Sequence, residues 1–197
     1  MSAPAAPRTQ HHLVQFYNDD DRLCRIVAGF LADDIVAGDP ALVIATGAHR
    51  EGIASALSAR PIDVERARRS GDLVLVDARE TLDAVTAGRE IDPARFTEVV
   101  GGLVERMRAD RQSAVLRAYG ELVDLLWQAS RADAAVQVEM LWNELAQTQR
   151  FTLLCGYSMG PFHEQVQRYE NIRGLHTRVL DDEEPEEAQA APPTPRR

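Results

Sequence analysis

Five short apolar runs, each ending in polar residues and each separated from the next by helical segments, constrain this chain more than any other feature. They span residues 12–17, 41–45, 73–76, 114–119 and 151–156. Parallel strands need long crossovers and bury both of their faces, so apolar runs alternating with helices encode a mostly parallel sheet covered on both sides. The expectation is an α/β fold of three layers, with about five strands in the sheet. Its helices are expected at 21–37, 47–59, a short stretch after Pro61, 79–87, 93–109, 122–129, 132–147 and 161–172. Asn18-Asp19-Asp20 is an N-cap signal for the first helix, Gly38-Asp39-Pro40 ends it, and Asp92-Pro93 starts another.

The stretch 113–142 organises the rest. Ala114-Val115-Leu116 leads through Tyr119-Gly120-Glu121 into two helices. An apolar strand feeding a helix delivers polar side chains to the carboxyl edge of a parallel sheet, where such folds bind ligands. Glu121 therefore leads the candidate residues. The same edge is expected to gather Tyr17, His49, Asp77, Tyr119, Cys155 and Tyr157, with His12 near the start of the first strand. His, Glu and Cys together suit a transition metal or a small polar ligand, and His49, Glu121 and Cys155 are the metal candidates. A plainer reading stands beside this one: Cys155 as a small buried residue, Asp77 or His49 as helix caps.

Trp127 and Trp142 fall on the paired helices among Leu125, Leu126, Val138, Leu141 and Leu145, as core packing or as the wall of a pocket or partner surface. Glu139 and Asn143 flank Trp142 and can pair with Arg117 or a ligand, or face solvent. Gly47 and Gly52 have phosphate-loop spacing, but Ile53 and Ala54 stand where Lys and Ser/Thr belong, which argues against an ATPase. Nucleophilic catalysis has little support: Ser158 lacks an identifiable base and no Gly-x-Ser-x-Gly elbow occurs.

A chain of 197 residues is expected to form one domain, over 11–180, between a disordered lead-in at 1–10 and a disordered acidic, Pro-rich tail at 181–197. A net charge of -9 disfavours direct binding to nucleic acid. No apolar run approaches the length of a membrane helix, no signal peptide is evident, and the two cysteines, Cys24 and Cys155, fit a reducing compartment. The expected location is cytoplasmic. The basic side chains other than histidine are all arginine, which reads as composition rather than as a site.

Several motifs in order resemble the MEDS family, the methanogen/methylotroph sensory domain: His12-x-x-x-Phe16-Tyr17, Gly38-Asp39, Ile44-Ala45-Thr46 with His49, Gly71-Asp72-Leu73 and Asp77-Ala78. The likeness continues through Tyr119-Gly120-Glu121, Leu126-Trp127, Glu139-x-x-Trp142-Asn143 and Leu153-Leu154-Cys155-Gly156-Tyr157, and covers about 11–162. The resemblance implies a RecA-like fold without a working nucleotide loop and a role in signalling, by sensing small hydrocarbon-derived compounds. Members of the family are often joined to histidine kinase or DNA-binding segments. This chain shows neither, so a sensor here is expected to act through a separate kinase or regulator. Sensory domains often pair, and a homodimer is compatible with that habit. No cofactor is expected. In this reading Glu121 and His49 supply polar recognition, Tyr17 and Tyr119 orient the ligand, and Trp127 or Trp142 lines the wall. Two other readings remain: a ligand-free interaction adaptor, and a metal-dependent enzyme using His49, Glu121 and Cys155.

Overall fold

The computed structural model describes residues 11–109, 111, 114–160 and 172–180. The lead-in at 1–10, the tail at 181–197 and, apart from Ile172, the last expected helix lie outside these residues. In chain order the elements are β1 (His12–Tyr17), α1 (Asp20–Ala37), β2 (Ala41–Ala45), α2 (Gly47–Ser58), α3 (Val64–Ser70), β3 (Leu73–Asp77) and α4 (Ala78–Val85). A two-residue-stranded hairpin follows, β4 (Thr86–Ala87) and β5 (Glu90–Ile91), then α5 (Pro93–Phe96), a π-helical segment (Thr97–Gly101) and α6 (Gly102–Arg108). The chain continues through β6 (Leu116–Gly120), α7 (Leu122–Gln128), α8 (Ala132–Thr148), β7 (Phe151–Ser158) and β8 (Arg178–Val179).

Among the described residues, six strands form one sheet in the order β3-β2-β6-β7-β1-β8, and its pairings are parallel. The sixth strand, β8, is the one addition to the five expected runs. Only two residues long, it lies beside Leu13 and Val14 on the edge of β1. The helix expected over 93–109 is broken by the π-helical segment, and the one expected over 79–87 stops at Val85, where the hairpin begins.

Caps hold several helix starts where the sequence places them. Asp19 accepts from the Arg22 N–H, Asp63 from Arg66, and Asp77 from Arg79 and Glu80. Gly38 ends α1 at φ 84°, a left-handed conformation that suits glycine.

The alternation of side chains along each strand divides the core in two. On one side, Val43, Tyr119 and Leu154 of the sheet pack with Leu23, Val27, Leu31, Ile53 and Leu57 beneath α1 and α2. On the other, Val14, Ile44, Ala118, Leu153, Cys155 and Tyr157 pack with Val100, Leu122, Leu126 and Trp142 beneath α4 to α8. Each such aliphatic side chain, fully buried, contributes about 1.5–3 kcal/mol. Of the two glycines with phosphate-loop spacing, Gly52 has a packing explanation. Both glycines lie in α2, and a Cβ on Gly52 would stand 2.6 Å from the Cys24 sulfur of α1. Among the described residues, no helix is long and apolar enough to cross a membrane.

Candidate functional site

β2 and β6 are neighbours in the sheet, yet the helices that follow them leave to opposite sides. α2 belongs to the layer with α1, and α7 to the layer with α8. In open parallel sheets the carboxyl ends of two strands whose helices diverge in this way are the usual ligand position. Glu121 sits there. Its N–H donates to the Ile44 carbonyl at 3.0 Å, which carries the pairing with β2 one residue past the strand.

The Glu121 carboxylate is 2% exposed and accepts from three directions. The Thr46 N–H donates to Oε2 at 2.8 Å, the Tyr119 hydroxyl to Oε1 at 3.0 Å, and His49 Nδ1 to Oε1 in a short contact. Tyr119 reaches it by lying across β7 at Gly156, where an added Cβ would stand 2.5 Å from the hydroxyl. On its far side His49 Nε2 meets Asp20 Oδ1 at 3.3 Å, and the Asp20 side chain is 75% exposed. The imidazole thus joins a buried carboxylate to an exposed one. The hydrogen bond that His49 donates to Glu121 raises the His49 pKa against the opposing effect of burial.

A second buried carboxylate extends this edge. Asp124 of α7 accepts from the Ser158 N–H and hydroxyl at 2.9 and 2.8 Å, from the Tyr17 hydroxyl at 2.9 Å and from Gln128 at 2.7 Å. Burial pushes its pKa up while these bonds pull it down, and burial beside Asp124 drives the Tyr17 phenol well above its ordinary value. The Tyr17 ring meets the His49 ring edge-on at 5.9 Å, so the two carboxylate groups lie side by side through these rings.

The remaining candidates gather elsewhere. Gly120 pairs with Cys155, so those two residues face one side of the sheet, and Tyr119 and Glu121 face the other. Cys155 is therefore not brought to His49 and Glu121, and the three do not form one set of ligands. Its neighbours are His12, at 3.3 Å, and Glu139 of α8, at 3.5 Å. Glu139 is fully buried and accepts from Tyr157 at 2.7 Å, with His12 Nε2 at 3.0 Å and His176 Nε2 at 3.3 Å. Burial would raise its pKa, but His176 and His12 hold it below the usual carboxylate range.

A sequence model of MEDS, the MEthanogen/methylotroph, DcmR Sensory domain, matches residues 11–176. The chain belongs to the MEDS family. That family is one of sensory domains. No curated protein matches the chain.

Within this MEDS domain the other sequence-derived candidates have structural places. Asp77 caps α4 and pairs with Arg50 at 2.6 Å, which is the capping role. Trp142 is 1% exposed between Phe96 and Phe151, and Trp127 is 4% exposed against Tyr157, both within the core. Neither Glu139 nor Asn143 pairs with Arg117, which binds Asp34 and lies over the Phe30 ring at 4.8 Å; nor is Glu139 at the surface. Ser158 does have an acidic partner, Asp124. Sequence reasoning missed Asp20, Asp124 and His176. Asp20 was spent on an N-cap signal, and Asp124 lies in an apolar helix where one acid reads as its solvent side. His176 stands beyond the last expected element.

Proposed function

We propose that this MEDS domain is a non-catalytic sensor that takes a small molecule at the carboxyl edge between β2 and β6 and passes its occupancy to a separate kinase or regulator. The observation that carries this reading is His49, held between buried Glu121 and exposed Asp20. With Nδ1 committed to Glu121, protonated His49 offers its Nε2–H outward. Asp20 takes that bond now, and an exposed side chain rotates away at little cost. A compound with one hydrogen-bond acceptor and a small apolar body replaces it, the acceptor on Nε2 and the body against the Tyr17 ring. Asp20 begins α1 and His49 lies in the first turn of α2, so occupancy alters the join between those two helices. The sensory character of the family supports this assignment.

A thermal-shift screen against small oxygenated hydrocarbon derivatives tests it. A compound at about 100 times its Kd stabilises the fold by roughly 2.7 kcal/mol. The shift is expected to vanish in Glu121→Gln and to persist or grow in Asp20→Ala, which removes the internal competitor. A shift that survives Glu121→Gln contradicts the assignment. No shift across the panel favours the ligand-free adaptor.

A further inference from the structure

Four side chains with metal-ligating atoms meet beneath α8 from separate parts of the chain: His12 of β1, Glu139 of α8, Cys155 of β7 and His176 before β8. One ligand atom from each lies within 4.8 Å of the other three. Ligands held at about 2.0–2.3 Å around a tetrahedral ion stand ~3.3–3.8 Å apart. His12 Nε2 lies 3.3 Å from Cys155 Sγ and 3.0 Å from Glu139 Oε2, Cys155 Sγ lies 3.5 Å from that same oxygen, and His176 Nε2 lies 3.3 Å from the other, Oε1, so the four atoms need to shift by only a few tenths of an ångström to about 1 Å around an ion.

The ring nitrogens carry the argument further. His176 Nδ1 lies 2.8 Å from the Ile172 carbonyl oxygen, which can only accept, so Nδ1 holds the proton. The Asn143 amide nitrogen donates to the Leu175 carbonyl at 3.3 Å, which turns the amide oxygen to His12 Nδ1 at 2.9 Å; that nitrogen donates too. In their neutral form both rings therefore aim an Nε2 lone pair at a buried carboxylate. Lone pairs facing one another out of water are costly unless a cation or added protons lie between them. His176 Nε2 makes no well-aligned hydrogen bond although Glu139 Oε1 stands 3.3 Å away, and its side chain is fully buried. Ligating histidines have this outer arrangement, with the far N–H on a carbonyl oxygen, and the Tyr157 hydroxyl fixes Glu139 in the same manner.

We propose that His12 Nε2, His176 Nε2, Cys155 Sγ and one oxygen of Glu139 bind a divalent first-row transition-metal ion, zinc foremost. Two imidazoles, a thiolate and a carboxylate are a zinc donor set. Binding releases the Cys155 thiol proton to solvent and leaves the ion closed in by four protein ligands. Such an ion is a tie rather than a catalyst: it fastens the segment carrying His176 to the sheet. A cavity of about 330 Å³, lined by His12, Asn143, Thr177 and Trp142 among others, touches the group at His12. The site is on the opposite sheet face from Glu121, so it stands or falls independently of the sensor assignment.

The test uses the full chain, reduced, stripped with a chelator and titrated with Co²⁺. One equivalent is expected to bind, with tetrahedral visible bands and a thiolate-to-cobalt charge-transfer band in the near ultraviolet. Cys155→Ser, close to isosteric, should remove the charge-transfer band. His176→Ala should abolish tight binding, and Asn143→Ala should weaken it about 10- to 100-fold. His49→Gln should change nothing. A folded, stripped chain that takes up no Co²⁺ overturns the proposal in favour of histidines protonated against Glu139. So does a cobalt spectrum that is unchanged in Cys155→Ser, or one lost in His49→Gln.

Discussion

Glu121 and Glu139 are both buried, at 2% and 0% exposure, and each gathers imidazole and a tyrosine hydroxyl. They differ in what lies beyond the imidazole. Past His49 stands Asp20, out in solvent; past His12 and His176 stand Asn143 and the Ile172 carbonyl, inside the protein. The first group has an outlet that a ligand can take over, and the second is closed on itself. Similar residues thus give an exchangeable edge on one sheet face and a fixed knot on the other, and the parity of the strands decides which residue joins which group.

Glu139→Ala separates the two groups most strongly. It strips the carboxylate from two buried histidines and a tyrosine and should cost about 3–5 kcal/mol, read from urea unfolding. A loss under 1 kcal/mol would mean that water reaches this group after all. Gly156→Ala acts on the edge instead. The new methyl must push Tyr119 off Glu121, at about 1–3 kcal/mol, and should blunt the ligand response while leaving cobalt uptake intact.

A smaller effect appears with pH. The folded pKa of His49 is raised above the ordinary value of about 6.5. Its stabilisation is therefore complete below about pH 6.5 and disappears as pH rises through the raised folded value. The urea midpoint of the wild type should fall over that window relative to that of His49→Gln, and parallel curves would count against the pair. Smallest of all, Asp77→Ala should cost about 1 kcal/mol as a lost helix cap, without changing ligand or metal binding. A lost ligand response in that variant would restore Asp77 to the site.

The α/β layers, the five longer strands and the position of Glu121 at the carboxyl end of β6 were legible because apolar runs and their polar ends carry that information directly. Placing all the polar ends at one edge was too coarse. Cys155 pairs with Gly120, so one step of alternation separates it from Glu121, and the parity of the two strands already implies that split. β8 escaped notice because two residues make no periodic signal, and its position comes from the edge of β1 that it pairs with. His176 went with it. Asp124 was invisible for another reason: its partners, Tyr17 and Ser158, are brought to it from distant strands by tertiary structure.

The most direct test of an open edge at His49 is the imidazole nitrogen spectrum of ¹⁵N-histidine-labelled protein, titrated with pH and then with a compound that stabilises the fold. His49 is expected to titrate above free histidine, to return toward it in Glu121→Gln, and to shift at Nε2 when the compound binds. A His49 signal that titrates as free histidine, or ignores a bound compound, would contradict an open edge there.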